Sequence, residues 1–320
     1  KINSESGILF MLKFRLYLFN FLCCLFEIKF KIIYFFMTSS NFNILIPTDF
    51  SEQSIQAVKY AQIITKSIKA NVHFIYVIEG SEHNHRSQPE QQEEFIKKNI
   101  RLKFESILTS INDNLDSNEF NLVIEKGKVY DRILETAAAI NAKLLIMGCN
   151  SAGDYKNRFL GSNALRIMRS CPVPVLSSNQ HSQLSKFKNI ILPIDLSKET
   201  KDKLSKAIAL AKLDPNIILH IVTVVFDADE FLINRLGQQL VKVKSTIEKS
   251  KVKYTAEIIK SSLGYESLGE IIADYSRKIE GDVIMLMTQQ EISHTPYFVS
   301  SLAQEIINIS EVPVMTIAPN

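Results

Sequence analysis

The chain is predicted to be an α/β protein built of two tandem, doubly wound, five-stranded parallel-sheet domains, and three observations predict it. From Asn43 onward, short apolar runs alternate with amphipathic segments of helical period. The same order of segments returns after about 140 residues. At 320 residues the chain is also longer than the roughly 100–200 residues of one ordinary domain.

The elements follow in order. NILIPTD at 43–49 is an apolar strand ending in turn chemistry, and Ser51 opens a helix with Ile55, Val58, Ala61 and Ile64 on one face. NVHFIYVIE at 71–79 is the second strand, and a polar loop leads to a helix over Glu93 to Leu108. FNLVIEKG at 120–127, AKLLIMG at 142–148 and VPVLSS at 173–178 supply three more strands. Helices over Asp131–Ile140 and Ser162–Met168 connect them. Continuous apolar strands separated by helices imply a parallel sheet covered on both faces.

The second half repeats the first. KNIILPIDLS at 188–197 echoes FNILIPTDFS at 42–51, aligning Asp195 with Asp49. NIILHIVTVV at 216–225, YTAEIIKSS at 254–262, DVIMLM at 282–287 and VPVMTIA at 312–318 match the remaining strands. The domains are expected at 37–178 and 187–320, with a linker at 179–186 inside the polar stretch SSNQHSQLSK. Two copies of one unit can associate as a homodimer would, so an intrachain pseudo-dimer related by a pseudo-twofold is expected. Pro174 and Pro313 mark the fifth strand of each half as an edge, where halves can join or whole chains can pair as homodimers.

Residues 1–36 stand apart. They hold eight of the nineteen Phe, and their apolar run from Leu16 to Phe26 is eleven residues, against roughly 20 for a membrane span. No small-residue cleavage site follows. The segment is expected to be a non-domain leader, untranslated in the native protein, with the start at Met37. It also carries five cations against two anions, which accounts for the whole net charge of +3. The remaining body is neutral, which argues against nucleic acid as a partner. No membrane association is expected, and outside the leader the only thiols are Cys149 and Cys171, without metal-ligand spacing, as in a reduced cytoplasmic protein.

ILIPTDFSEQSIQAVKYA, the second strand with Tyr76 and Val77, and MGCNSAGDYKNRFLGSNALRIMRSCPVPVL together resemble the universal stress protein family. The resemblance covers about residues 40–320 as a tandem pair, more strongly in the first half. It implies a Rossmann-like, adenine nucleotide alpha hydrolase-like fold and a cytosolic stress-response role with an unidentified protein partner. ATP-binding members carry G-x2-G-x9-G-[ST] after the fourth strand and an Asp at the end of the first. Here Gly148, Gly161 and Ser162 occupy the outer positions, while Ser151 replaces the middle glycine and Gly153 lies two residues on. The resemblance therefore implies that Pro47, Asp49, Val77, Met147, Gly148, Ser151, Gly161, Ser162 and Asn163 hold ATP, with Mg²⁺.

Each residue also has a ligand-free reading. Ser162 can cap a helix, Asp49 can satisfy the amides of a turn, and Val77 and Met147 can be strand-end core. Lys156 and Arg158 lie in the loop and can neutralise phosphate or merely be solvated. In the second half Thr288 stands for Gly148, and Ser300 and Ser301 for Gly161 and Ser162. No glycine occurs after Asp282, so that half is expected to lack nucleotide and to act as a structural or regulatory partner.

No GxxxxGK[ST] loop and no nucleophile, base and acid spacing is present. His83 and His85 alone are poor evidence for a metal, and His73, His181, His220 and His294 are scattered through strands and loops. The chain is therefore expected not to be an enzyme. Three functional readings remain: an ATP-binding stress-response regulator, a nucleotide-free interaction or dimerisation module, and a weak ATPase.

Overall fold

A computed structural model describes residues 42–79, 89–111, 120–149, 151–152, 159–179, 182–194, 200–226, 230–262, 267–288 and 301–318. In the first half, strands β1 (Phe42–Pro47), β2 (Ala70–Ile78), β3 (Phe120–Lys126), β4 (Ala142–Gly148) and β7 (Val175–Ser178) alternate with helices α1 (Glu52–Ser67), α2 (Pro89–Ile111), α3 (Val129–Ala139) and α4 (Ser162–Ser170). A two-residue ribbon, β5 (Ser151–Ala152) with β6 (Phe159–Leu160), is inserted after β4. The second half repeats the plan with β8 (Asn189–Pro193), β9 (Ile218–Phe226), β10 (Lys253–Ser261), β11 (Val283–Met287) and β12 (Val314–Ile317). Its helices are α5 (Thr200–Ala211), α6 (Glu230–Lys249), α7 (Leu268–Lys278) and α8 (Ser301–Ile309).

The two five-stranded sheets are one. The strands run β10-β9-β8-β11-β12-β7-β4-β1-β2-β3, parallel throughout except where β12 meets β7. At that seam Val314 faces Ser177, Met315 faces Leu176 and Thr316 faces Val175. Leu176 and Met315 are equivalent positions of the repeat, so the register is symmetric about them, as a local twofold requires. The side chains repeat the symmetry. Ser177 Oγ donates to the Val314 carbonyl at 3.0 Å and the equivalent Thr316 Oγ1 to the Val175 carbonyl at 3.3 Å. The linker is tied to both halves: Tyr60 Oη of α1 donates to the Ser182 carbonyl at 2.6 Å, and Asn179 Nδ2 to the Ile307 carbonyl of α8 at 2.6 Å.

Alternation along each strand sends its side chains to two cores, one on each face. Ile44, Ile46, Leu144, Ile146, Val283, Met285 and Met315 pack under α1, α2, α5 and α6. Leu45, Leu145, Met147, Ile284 and Val314 pack under α3, α4, α7 and α8. Both layers run unbroken through the seam, since each contains residues of the two halves. Sequence periodicity places the start of α2 too late: the helix begins at Pro89, in the polar stretch before Glu93, which carries no apolar period to mark it. Among the described residues no helix is long and apolar enough to cross a membrane.

Candidate functional site

Strand order reverses between β1 and β4, and the connections leaving those two strands diverge to opposite sides. A crevice at the carboxyl ends of the strands is the geometric result. It is a cavity of about 600 Å³, bounded by the ends of β1, β2 and β4 and by the first turns of α1 and α4. Pro47, Asp49, Val77, Met147, Gly148, Gly161 and Asn163 all line it. Ser162 is exposed and outside the lining, and the side chain of Ser151 lies outside the described residues, as do Gly153, Lys156 and Arg158.

The β1–α1 connection is held by its own hydroxyls. Thr48 N–H donates to the Ile75 carbonyl at 2.9 Å, fastening the end of β1 to β2. Ser51 caps α1, its Oγ accepting from Ser54 N–H at 3.3 Å. Asp49 Oδ1 accepts from Ser51 N–H at 2.9 Å, so the turn reading of this aspartate is realised while its carboxylate still borders the cavity. Partial burial works to raise the Asp49 pKa, but hydrogen bonds from the Ser51 side chain and backbone and from Ser54 outweigh it, holding the group below its ordinary value. It is an anion at neutral pH.

β2 outlasts its neighbour. Ile75 faces Pro47, the last residue of β1, and spends its carbonyl on Thr48. Backbone groups of a strand point to the same side every second residue. Val77 therefore turns its N–H and C=O toward the place β1 has vacated, at the cavity wall.

The two glycines differ in kind. A Cβ on Gly148 would overlap the backbone of Gln53 in the first turn of α1, so glycine there is demanded by the close approach of β4 to that helix. A Cβ on Gly161 would meet nothing within 4 Å. Gly161 is the N-cap of α4 and provides no side-chain cap, so the helix starts with its first amides unsatisfied by a capping oxygen. This corrects the capping alternative for Ser162, which is the first residue inside the helix.

In the second half Thr288, which replaces Gly148, is fully buried; its Oγ1 donates to the Ile317 carbonyl at 3.3 Å and its N–H to the same oxygen at 2.9 Å. Asp195, Ser300 and the side chain of Ser301 lie outside the described residues. So do His83, His85, His181 and His294. Among the described residues no three of His, Cys, Asp and Glu are grouped to hold a metal. Burial pushes the Cys149 thiol up to about 12, with a hydrogen bond to Ser177 offsetting part of that rise, so it is not an available nucleophile.

Sequence reasoning missed the far wall, made by Ile96 and Ile100 of α2 and Val129 and Ile133 of α3. Each pair has i, i+4 spacing, which reads as core stripe whether or not a cavity lies beneath it. It also missed Thr48, Ser51 and Ser54, whose spacing signals only a helix cap.

A model of the universal stress protein family matches residues 41–177 and again 186–318. Universal stress protein MJ0531 of Methanocaldococcus jannaschii is 31% identical over 135 residues, which are 42% of this chain and 79% of that protein. Among solved structures, a universal stress protein of Archaeoglobus fulgidus is 20% identical with a TM-score of 0.64, over 88% of this chain and all of that one. A functionally unknown protein of Pseudomonas aeruginosa PAO1 is 13% identical with a TM-score of 0.59, over 89% of this chain and 95% of that one. These two structural likenesses concern the fold.

Proposed function

The chain belongs to the universal stress protein family, through both of its halves, and from that membership we propose that it is a cytosolic stress-response regulator whose first half binds an adenine nucleotide, ATP with Mg²⁺ foremost, without catalytic turnover. The observation that carries this reading is the start of α4. Gly161 leaves the helix without a side-chain cap, packing does not require its missing Cβ, and the position opens on the cavity. Unsatisfied amides at the positive end of a helix suit a polyphosphate.

The rest of the lining fits the other parts of the ligand. The N–H and C=O of Val77 form a donor and acceptor pair past the end of β1, which complements the donor and acceptor edge of adenine. Met147 and the apolar wall suit the faces of the ring. Asp49 accepts hydrogen bonds from a ribose. Among the described residues the lining contains no histidine, cysteine, lysine or arginine, and its carboxylates are Asp49 and Glu79. The second half, with Thr288 in place of Gly148, is read as the structural or regulatory partner.

Thermal unfolding with ATP and Mg²⁺ tests the reading. At about 100 times its dissociation constant a ligand adds about 2.7 kcal/mol of stability, a shift of several degrees. Gly161→Val puts a branched side chain at the approach to α4, its Cβ meeting nothing within 4 Å, and is expected to abolish that shift, measured against the variant's own unliganded Tm, which the poorer N-cap lowers slightly. A melting curve indifferent to ATP would leave only the interaction module, and an equal shift in both proteins would place the ligand elsewhere.

A further inference from the structure

Four non-glycine residues have positive φ among the described residues. Three fall within two residues of a helix end: Asn141 after α3, Lys251 after α6 and Glu280 after α7, at 52°, 59° and 51°. A left-handed residue there is an ordinary way to stop a helix. Phe50, at 64°, precedes a helix instead, and a bulky aromatic is among the residues least suited to that region. Something outside the backbone has to hold it.

The ring is held from two elements. Phe50 stacks on Tyr76 of β2, ring centroids 5.0 Å apart and planes at 27°, and Lys103 Nζ of α2 lies 5.0 Å from the Phe50 centroid. An offset aromatic pair and a cation over the ring both favour this one placement. The held residue sits between the two ends of the bond that fixes Asp49, in which Ser51 N–H donates to Oδ1. Its own N–H donates to Thr48 Oγ1 at 3.1 Å. The repeat provides an independent comparison: Leu196 and Thr223 stand at the positions of Phe50 and Tyr76, so both rings are missing from the half that also carries Thr288 for Gly148.

We propose that Phe50 is a positioning residue for the cavity: its ring, held between Tyr76 and Lys103, fixes the left-handed turn that presents the Asp49 carboxylate. The proposal rests on the nucleotide reading for its purpose, but the placement of Asp49 is measurable with no ligand present. Without the stack the turn relaxes toward backbone conformations Phe prefers, and Ser51 N–H leaves the carboxylate. The lowered pKa of Asp49 depends on those same Ser51 contacts and rises with their loss.

The test is a carbon-13 NMR titration of the Asp49 carboxyl, with ATP calorimetry beside it, on the full chain and its Phe50→Leu and Phe50→Tyr variants. Phe50→Leu is expected to raise the Asp49 titration midpoint toward the ordinary value of about 3.9. It is also expected to weaken ATP binding by about tenfold, the scale of one hydrogen bond to a charged group. Phe50→Tyr keeps the ring and is expected to restore both. A folded Phe50→Leu protein with an unmoved Asp49 titration overturns the proposal. Should that variant fail to fold, Tyr76→Leu loosens the same stack and carries the same expectations. If the unaltered chain takes up no ATP, the nucleotide reading falls, and the Asp49 titration in Phe50→Leu against Phe50→Tyr decides the positioning role by itself.

Discussion

Gly148 and Gly161 belong to one motif, yet the structure separates what each does. Gly148 is fixed by packing, because any Cβ there collides with the start of α1. Gly148→Ala is accordingly expected to cost about 1–3 kcal/mol, as overfilling a packed contact does, read as a lowered Tm in the absence of any ligand. An unchanged Tm would mean that β4 and α1 part easily. Gly161 has no such constraint, and its use lies in what approaches α4. Motif spacing identified both residues and could not tell them apart, since a pattern of glycines does not say which of them has a neighbour against it. Phe50 was legible only as a residue beside Asp49, because a positive φ in a bulky residue leaves no mark in the sequence.

At the scale of the element, the strands were the easiest part to read. A parallel strand buried on both faces is a near-continuous apolar run: β11 is apolar at every position, and β1 and β4 are broken only by Asn43 and Lys143 near their starts. The ribbon of β5 and β6 was not legible, as two residues hold no period. β2 and β9 also share a feature that periodicity passes over: each carries a histidine at the equivalent place, His73 and His220. Neither ring nitrogen of His73 has a hydrogen-bond partner, whereas His220 pairs with Thr255 at 2.9 Å and Asn189 at 3.3 Å. Burial lowers the pKa of both, opposed in His220 by the charge of Asp282. A base whose pKa is lower folded than unfolded binds more protons unfolded, so stability is complete above about pH 6.5 and falls as the pH drops below it. Urea unfolding from pH 7.5 to 5 is expected to show that loss, less steeply in His73→Leu. An identical slope in the variant would remove His73 from the account.

The molecule as a whole is a repeat closed upon itself. Its seam pairs Leu176 with Met315 at the centre, and the Ser177 and Thr316 hydroxyls bond symmetrically across it. Duplication was visible in the sequence because FNILIPTDFS and KNIILPIDLS keep their order and spacing. The direction of the join was less so: prolines at 174 and 313 mark edges, and only the register decides that two edges meet antiparallel. The repeat is symmetric in fold, and its halves differ in the described residues at the strand ends. The ring pair of Phe50 and Tyr76 and the close approach at Gly148 occur in the first half, and a buried Thr288 holds the corresponding place in the second.

That asymmetry makes stoichiometry the most direct measurement. Titration of the full chain with ATP and Mg²⁺ in a calorimeter is expected to saturate at one nucleotide per chain, with the heat absent in Gly161→Val. Two nucleotides per chain, or none, would contradict the account.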